Sequence, residues 1–186
     1  MMIKFLPLLA AFLLSACVVI SEEYFHPQAV GAEVEKESCR GKVGADNQLV
    51  YTFDNVRLML RIKEYSGKTN LGIEFRVAES GTVAWPDQLV ELYVDDLKTS
   101  FSVKSFRRLR AESGDLITKD YAVGTLMDNT SLEDYETFHE SFIVQEKKSA
   151  VVKIEQIKVI VNGKLHVLKD ILFTKKKGVF LHPLNC

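Results

Sequence analysis

Apolar and polar residues alternate along most of this chain with a period of two. The clearest run is Val56 to Lys63: Val56, Leu58, Leu60 and Ile62 share one face, and Arg57, Arg61 and Lys63 take the other. That is the pattern of a strand buried on one side only. Leu49 to Phe53 alternates before it, with Asp54-Asn55 as the turn between, and Ser66-Gly67 turns the chain into Leu71, Ile73, Phe75 and Val77. A longer connection marked by Gly81 and Trp85-Pro86-Asp87 leads to Leu89 to Val94, a turn at Asp95-Asp96, then Phe101, Val103 and Phe106. Glu112 to Asp115 turns again, and Leu116 to Val123 is a weaker strand. The alternation lapses over 128–136, where Ser131 to Asp134 has the form of a cap on one helical turn. Phe138 to Val144 resumes as a strand, with Phe138, Ser141 and Ile143 poorly phased.

The last third is the most regular. Ile157, Val159 and Val161 alternate up to Asn162-Gly163, and Leu165 and Val167 alternate away from it. Asn-Gly between two such runs predicts a hairpin, because a type I′ turn needs positive φ at both central residues. Ile171 and Phe173 come next, then Lys175-Lys176-Lys177-Gly178 and a short final strand, Val179 to Leu181. Nine or ten short strands with frequent turns predict an all-β fold. The expected form is an antiparallel β-sandwich, immunoglobulin-like in layout, with a closed β-barrel as the alternative.

Two stretches do not alternate. Residues 18–38 have no sustained period, with His26-Pro27 and Gly31 as breakers, and the pattern predicts a tether. Residues 1–16 have a positive Lys4, an apolar run from Phe5 to Leu14, and the small residues Ser15 and Ala16 before Cys17. That is the build of an export signal. The run of about ten residues is half the roughly 20 needed to cross a bilayer as a helix. Leu14-Ser15-Ala16-Cys17 resembles the lipobox of bacterial lipoproteins. An ordinary cleaved signal with an incidental cysteine, or a buried N-terminal helix, is the other reading. The resemblance implies cleavage before Cys17, diacylglycerol on its thiol and acylation of the freed amine. Each buried methylene adds about 0.8 kcal/mol of membrane affinity, and several chains together hold firmly. The retention signal of Gram-negative inner-membrane lipoproteins is an Asp after the cysteine. Val18 stands there, so the resemblance implies the outer membrane, facing the periplasm. The expected organisation is a signal peptide at 1–16, a lipidated tether at 17–38 and a single domain at 39–186.

Composition fits that outline. The chain has 186 residues, 47% hydrophobic and 26% charged, enough for one real core. Removal of Lys4 with the leader takes the formal charge from −1 to about −2, which gives no invitation to nucleic acid. With Cys17 assigned to acylation, Cys39 and Cys186 remain, and in an oxidising compartment they are expected to form a disulfide. Two free thiols, or a zinc site short of ligands, are the alternatives.

Catalytic signatures are scarce. His26, His139, His166 and His182 have no second metal ligand at zinc-site spacing, and His139 beside Glu140 alternates to the opposite face of a strand. Asp95-Asp96, Asp115 and Asp120 read as turn or surface acids, with no calcium loop. The Gly41 to Gly44 segment lacks the ending of a phosphate loop, and no Gly-x-Ser-x-Gly elbow occurs. Arg107-Arg108-Leu109-Arg110 and Lys175 to Lys177 fit either anionic headgroups or the guarding of sheet edges. Trp85, with Val83 and Leu89 nearby, fits a partner-binding loop or a tryptophan closing one end of the sandwich. No cofactor is expected.

The resemblance is to small β-rich envelope lipoproteins without assigned activity, so it carries over a lipidation site and no active site. The expected function is non-enzymatic: a lipid-anchored envelope protein that binds a protein partner or stabilises an envelope assembly. The alternative is a periplasmic inhibitor or immunity-type protein acting through a loop at 83–87 or 128–136. A hydrolase or sugar-binding enzyme is the third reading.

Overall fold

In the computed structural model, which describes residues 17–37, 43–112, 115–131 and 133–183, the alternating runs become strands. In chain order these are β1 (Cys17–Gln28), β2 (Glu33–Lys36), β3 (Asp46–Phe53), β4 (Val56–Tyr65), β5 (Lys68–Ala78), β6 (Thr82–Ala84) and β7 (Leu89–Val94). The second half of the chain adds β8 (Leu97–Ser102), β9 (Ser105–Glu112), β10 (Asp115–Ala122), β11 (Met127–Asp128), β12 (Tyr135–Gln145), β13 (Val151–Val161) and β14 (Lys164–Pro183). No helix occurs among the described residues. Two seven-stranded antiparallel sheets pack face to face as a β-sandwich, as the pattern predicts. The first runs β1-β14-β13-β6-β11, with the β7–β8 hairpin also on β13, and curls into a half-barrel. The second runs β10-β9-β12-β5-β4-β3-β2.

Alternation decides which face each strand buries. Val56, Leu58, Leu60 and Ile62 of β4 and Leu71, Ile73, Phe75 and Val77 of β5 face inward. They meet Val152, Ile154, Ile157, Val159 and Val161 of β13 and Ile171 and Phe173 of β14. Each such side chain contributes roughly 1.5–3 kcal/mol through removal from water. Three hairpins turn on residue pairs that both have positive φ: Ser66-Gly67, Asp95-Asp96 and Asn162-Gly163. That is the type I′ geometry, whose twist matches that of the strands it joins. Asp95 also accepts the backbone N–H groups of Ala150 and Val151 at 2.8 and 2.9 Å, so it is a structural brace between hairpins.

Residues 17–38 depart most from the expected tether. β1 pairs with the last strand from Cys17 opposite Pro183 to Gln28 opposite Leu172. β2 lies along β3, with Glu33 opposite Val50. Phe25 is the physical cause: it is buried in the core, and Lys175 Nζ stands 5.4 Å above its ring. Beside it, His26 Nδ1 lies 3.2 Å from the Asp46 carbonyl. Leader residues 1–16, Ser38, Cys39 and Cys186 lie outside the described residues, so the expected disulfide does too.

Smaller departures have equally local causes. The final strand is not divided at its lysines; β14 runs unbroken because β13 pairs with its first part and β1 with its last. Around 131–134 the chain bends without a helix. Asn129 Oδ1 accepts the Ser131 N–H and hydroxyl, and its amide donates to the Glu133 carbonyl, while Leu132 lies outside the described residues. In β12 the core face carries Glu136, Phe138, Glu140, Phe142 and Val144, and Ser141 and Ile143 are exposed. Glu140, half-buried between Phe138 and Phe142 on that face, and the buried Glu136 before them break the apolar period. Glu136 is held by Arg108 of β9 at 3.0 Å, and that guanidinium also lies over the Tyr121 ring.

Candidate binding surface

Trp85 is 1% exposed, which removes it as a direct partner-binding residue. Its ring packs against Phe75 and Phe106, with centroids at 6.2 and 5.5 Å, and closes the core between the sheets. Val83 is buried with it, so the stretch 83–85 is not a protruding loop. The chain beyond Trp85 is more open. β6 pairs with β13 at Ile160 and Val161, and β7 pairs with β13 at Val152, Lys153 and Ile154. Between those registers, residues 155–159 of β13 have no strand beside them on that side among the described residues. The segment from Trp85 to Leu89 arches away instead, leaving a window of about 510 Å3 in the sheet.

The window is walled by Asp87, Gln88, Glu91, Glu155 and Gln156, with Leu89 at its rim, 58% exposed. Lys158 reaches Asp87 at 3.3 Å across it. Lys98 holds Glu91 at 3.0 Å; that hydrogen bond raises the pKa of the lysine ammonium. Chemically the window offers unpaired strand backbone, amide and carboxylate groups, and one exposed leucine. Those are the needs of an extended segment adding to a sheet.

A second concavity, of about 290 Å3, lies on the outer face of the other sheet. Gly72 sits mid-strand in its wall opposite Arg61 and Ser141, and a Cβ there would rest against the Arg61 side chain at 3.4 Å. Around it stand Gln48, Met59, Lys63, Asn70, Glu74 and His139. Glu74 is paired with Arg76 at 2.9 Å and Lys63 with the buried Glu37 at 3.2 Å. Arg61 has no acidic partner among the described residues. His139 stands opposite Glu74, whereas Glu140 stands opposite the core residue Ile73, so the two do not form an acid–base pair.

The remaining candidates are absorbed by the fold. His166 packs on Phe53, with centroids at 4.6 Å. Arg107 pairs with Asp120 at 3.2 Å on the surface. Lys175 is paired with Glu64 and lies 3.8 Å from Glu23, while Lys176 and Lys177 are exposed. The side chains of Cys17, Arg110, Asp115 and His182 lie outside the described residues. Among the described residues no three His, Cys, Asp or Glu side chains come together to hold a metal ion, and no helix is long and apolar enough to cross a membrane. Neither a comparison with protein-family models nor one with curated proteins finds a match to the chain.

Proposed function

We propose that this chain is a non-enzymatic lipoprotein of the bacterial cell envelope. It is anchored through acyl chains on Cys17 to the outer membrane, faces the periplasm and binds a protein partner. The observation that carries the reading is Leu14-Ser15-Ala16-Cys17 at the end of a charged and then apolar leader, with Cys17 the first residue of the first strand. Support for a protein partner comes from the window in the first sheet. Among the described residues no strand pairs with 155–159 on one side there, and Leu89 gives a partner an apolar contact.

Two substitutions test the reading. Cys17→Ser removes the acylation site, and the expected result is loss of the protein from the membrane fraction. Retention there without acylation contradicts the anchor. A photo-crosslinking residue at Leu89 is expected to capture one discrete partner in intact cells, and the same residue at Val30, exposed on the turn after β1, is expected to capture none. Equal capture at both positions, or none at Leu89, contradicts the window as the binding place.

A further inference from the structure

We infer that the free end of the β1–β14 ribbon is seated in the headgroup region of a lipid bilayer, so that the body is held on a stiff stalk instead of a leash. The inference rests on acylation of Cys17 and adds the surface that meets the membrane. The ribbon's residues in the main core cluster end at Phe25 on β1 and Phe173 on β14, and Phe180 further out is buried against Gly178 and Tyr24 of the ribbon itself. Beyond them Ser21, Glu22, Glu23, Lys176, Lys177 and Val179 are exposed, and Glu23 still lines a concavity with Lys63 and Glu64 of the opposite sheet.

Apolar residues then return, and only at the far end. Val18, Val19 and Ile20 stand in register with His182, Leu181 and Phe180, and Cys17 with Pro183. Val179, one register further in, is 70% exposed. A two-stranded ribbon is marginal in water by itself, and an apolar tip makes water a worse solvent for it. The tip from Cys17 to Ile20 is about 10 Å long at roughly 3.3 Å per residue. Amphipathic elements bury about 5–10 Å at the boundary of headgroups and acyl chains.

Charge and aromatic placement fit the same depth. Directly behind the tip, Glu22 and Glu23 lie opposite Gly178 and Lys177, a charged band for the hydrated headgroups. At the border the Phe180 ring lies over Gly178, where a methyl group would overlap it, and Tyr24 meets the ring edge-on at 5.3 Å. Cys17, which would carry the acyl chains, stands at this apolar end of the ribbon, opposite Pro183.

The test uses the full lipidated protein in phosphatidylethanolamine–phosphatidylglycerol vesicles, with and without lipids brominated near the headgroup. Intact mass first establishes acylation. Val179→Trp places a fluorophore at the tip. Val30→Trp places one at an exposed turn, nine residues from Ser21 and roughly 25 Å away along the strand. The native Trp85 is buried and common to both. Brominated lipid is expected to reduce tip emission about twofold and to leave the residue-30 probe unchanged, because an interfacial indole lies among the bromines and a distant one does not. An acylated protein quenched no more at 179 than at 30 overturns the seating of the ribbon alone. A protein without acyl mass overturns the lipid anchor and this inference with it.

Discussion

Tyr51 sits on the core face of β3, buried, and its hydroxyl has no hydrogen-bond partner among the described residues. Burial pushes its pKa up from 10 to about 12. The folded state therefore favours the neutral phenol more than the unfolded state does. The stability this supplies is whole below pH 10 and is lost as pH rises from 10 towards 12. Tyr51→Phe is expected to leave stability at pH 8 unchanged or raise it by about 1 kcal/mol, since a buried hydroxyl without a partner contributes little. It should also flatten the alkaline loss. Denaturant midpoints of both proteins at pH 8, 10 and 12 check this, and a parallel fall in the two contradicts it. Arg108 is a second residue with a defined task. Truncation by Arg108→Ala takes the guanidinium from the Glu136 carboxylate, 6% exposed, and breaking a buried ion pair by removing one partner costs about 3–5 kcal/mol. Urea unfolding reads that loss directly.

Elements differ in how openly the sequence announced them. β4, β7 and the β13–β14 hairpin were legible because each buries one face, and burial imposes the period of two. β1 was not, because half of it projects beyond the core and its partner strand lies at the opposite end of the chain. Ser21, Glu22 and Glu23 are exposed in succession, and a run exposed on both faces has no reason to alternate. Hydrogen exchange separates strand from tether: amides from 22 to 28 should be protected along with their β14 partners, whereas a tether would exchange at unfolded rates. β12 misled for another reason. Two of its five core-face positions are acids, Glu136 and Glu140, and a buried Glu136 makes sense only once Arg108 arrives from β9. The window was illegible too, since it arises from β6 and β7 docking at separated registers of β13. Asn162 is legible as a turn residue, but it also ties three elements together. Its side chain accepts the Thr82 N–H and donates to Asn55, both at 2.9 Å. Asn162→Ala is expected to cost about 2–3 kcal/mol, from two lost hydrogen bonds and a left-handed backbone that alanine resists. Asn162→Gly, which keeps the backbone freedom, should cost less by thermal unfolding.

For the whole molecule the sandwich, the closing of the chain and the anchor belong together. β1 and β14 bring residues near both termini of the described chain side by side, with Cys17 opposite Pro183. A bridge between Cys39 and Cys186 would close almost the entire domain, and the chain-entropy value of so long a loop is about 5 kcal/mol or less. Reduction should lower the unfolding midpoint of the parent protein and leave Cys39→Ser unaffected; equal midpoints with and without reductant contradict the bridge. The anchor itself is decided by the intact mass of the protein extracted from membranes. The account predicts the mass of residues 17–186 plus acyl chains. A chain that retains residues 1–16, or one that begins at Cys17 without acyl mass, would contradict it.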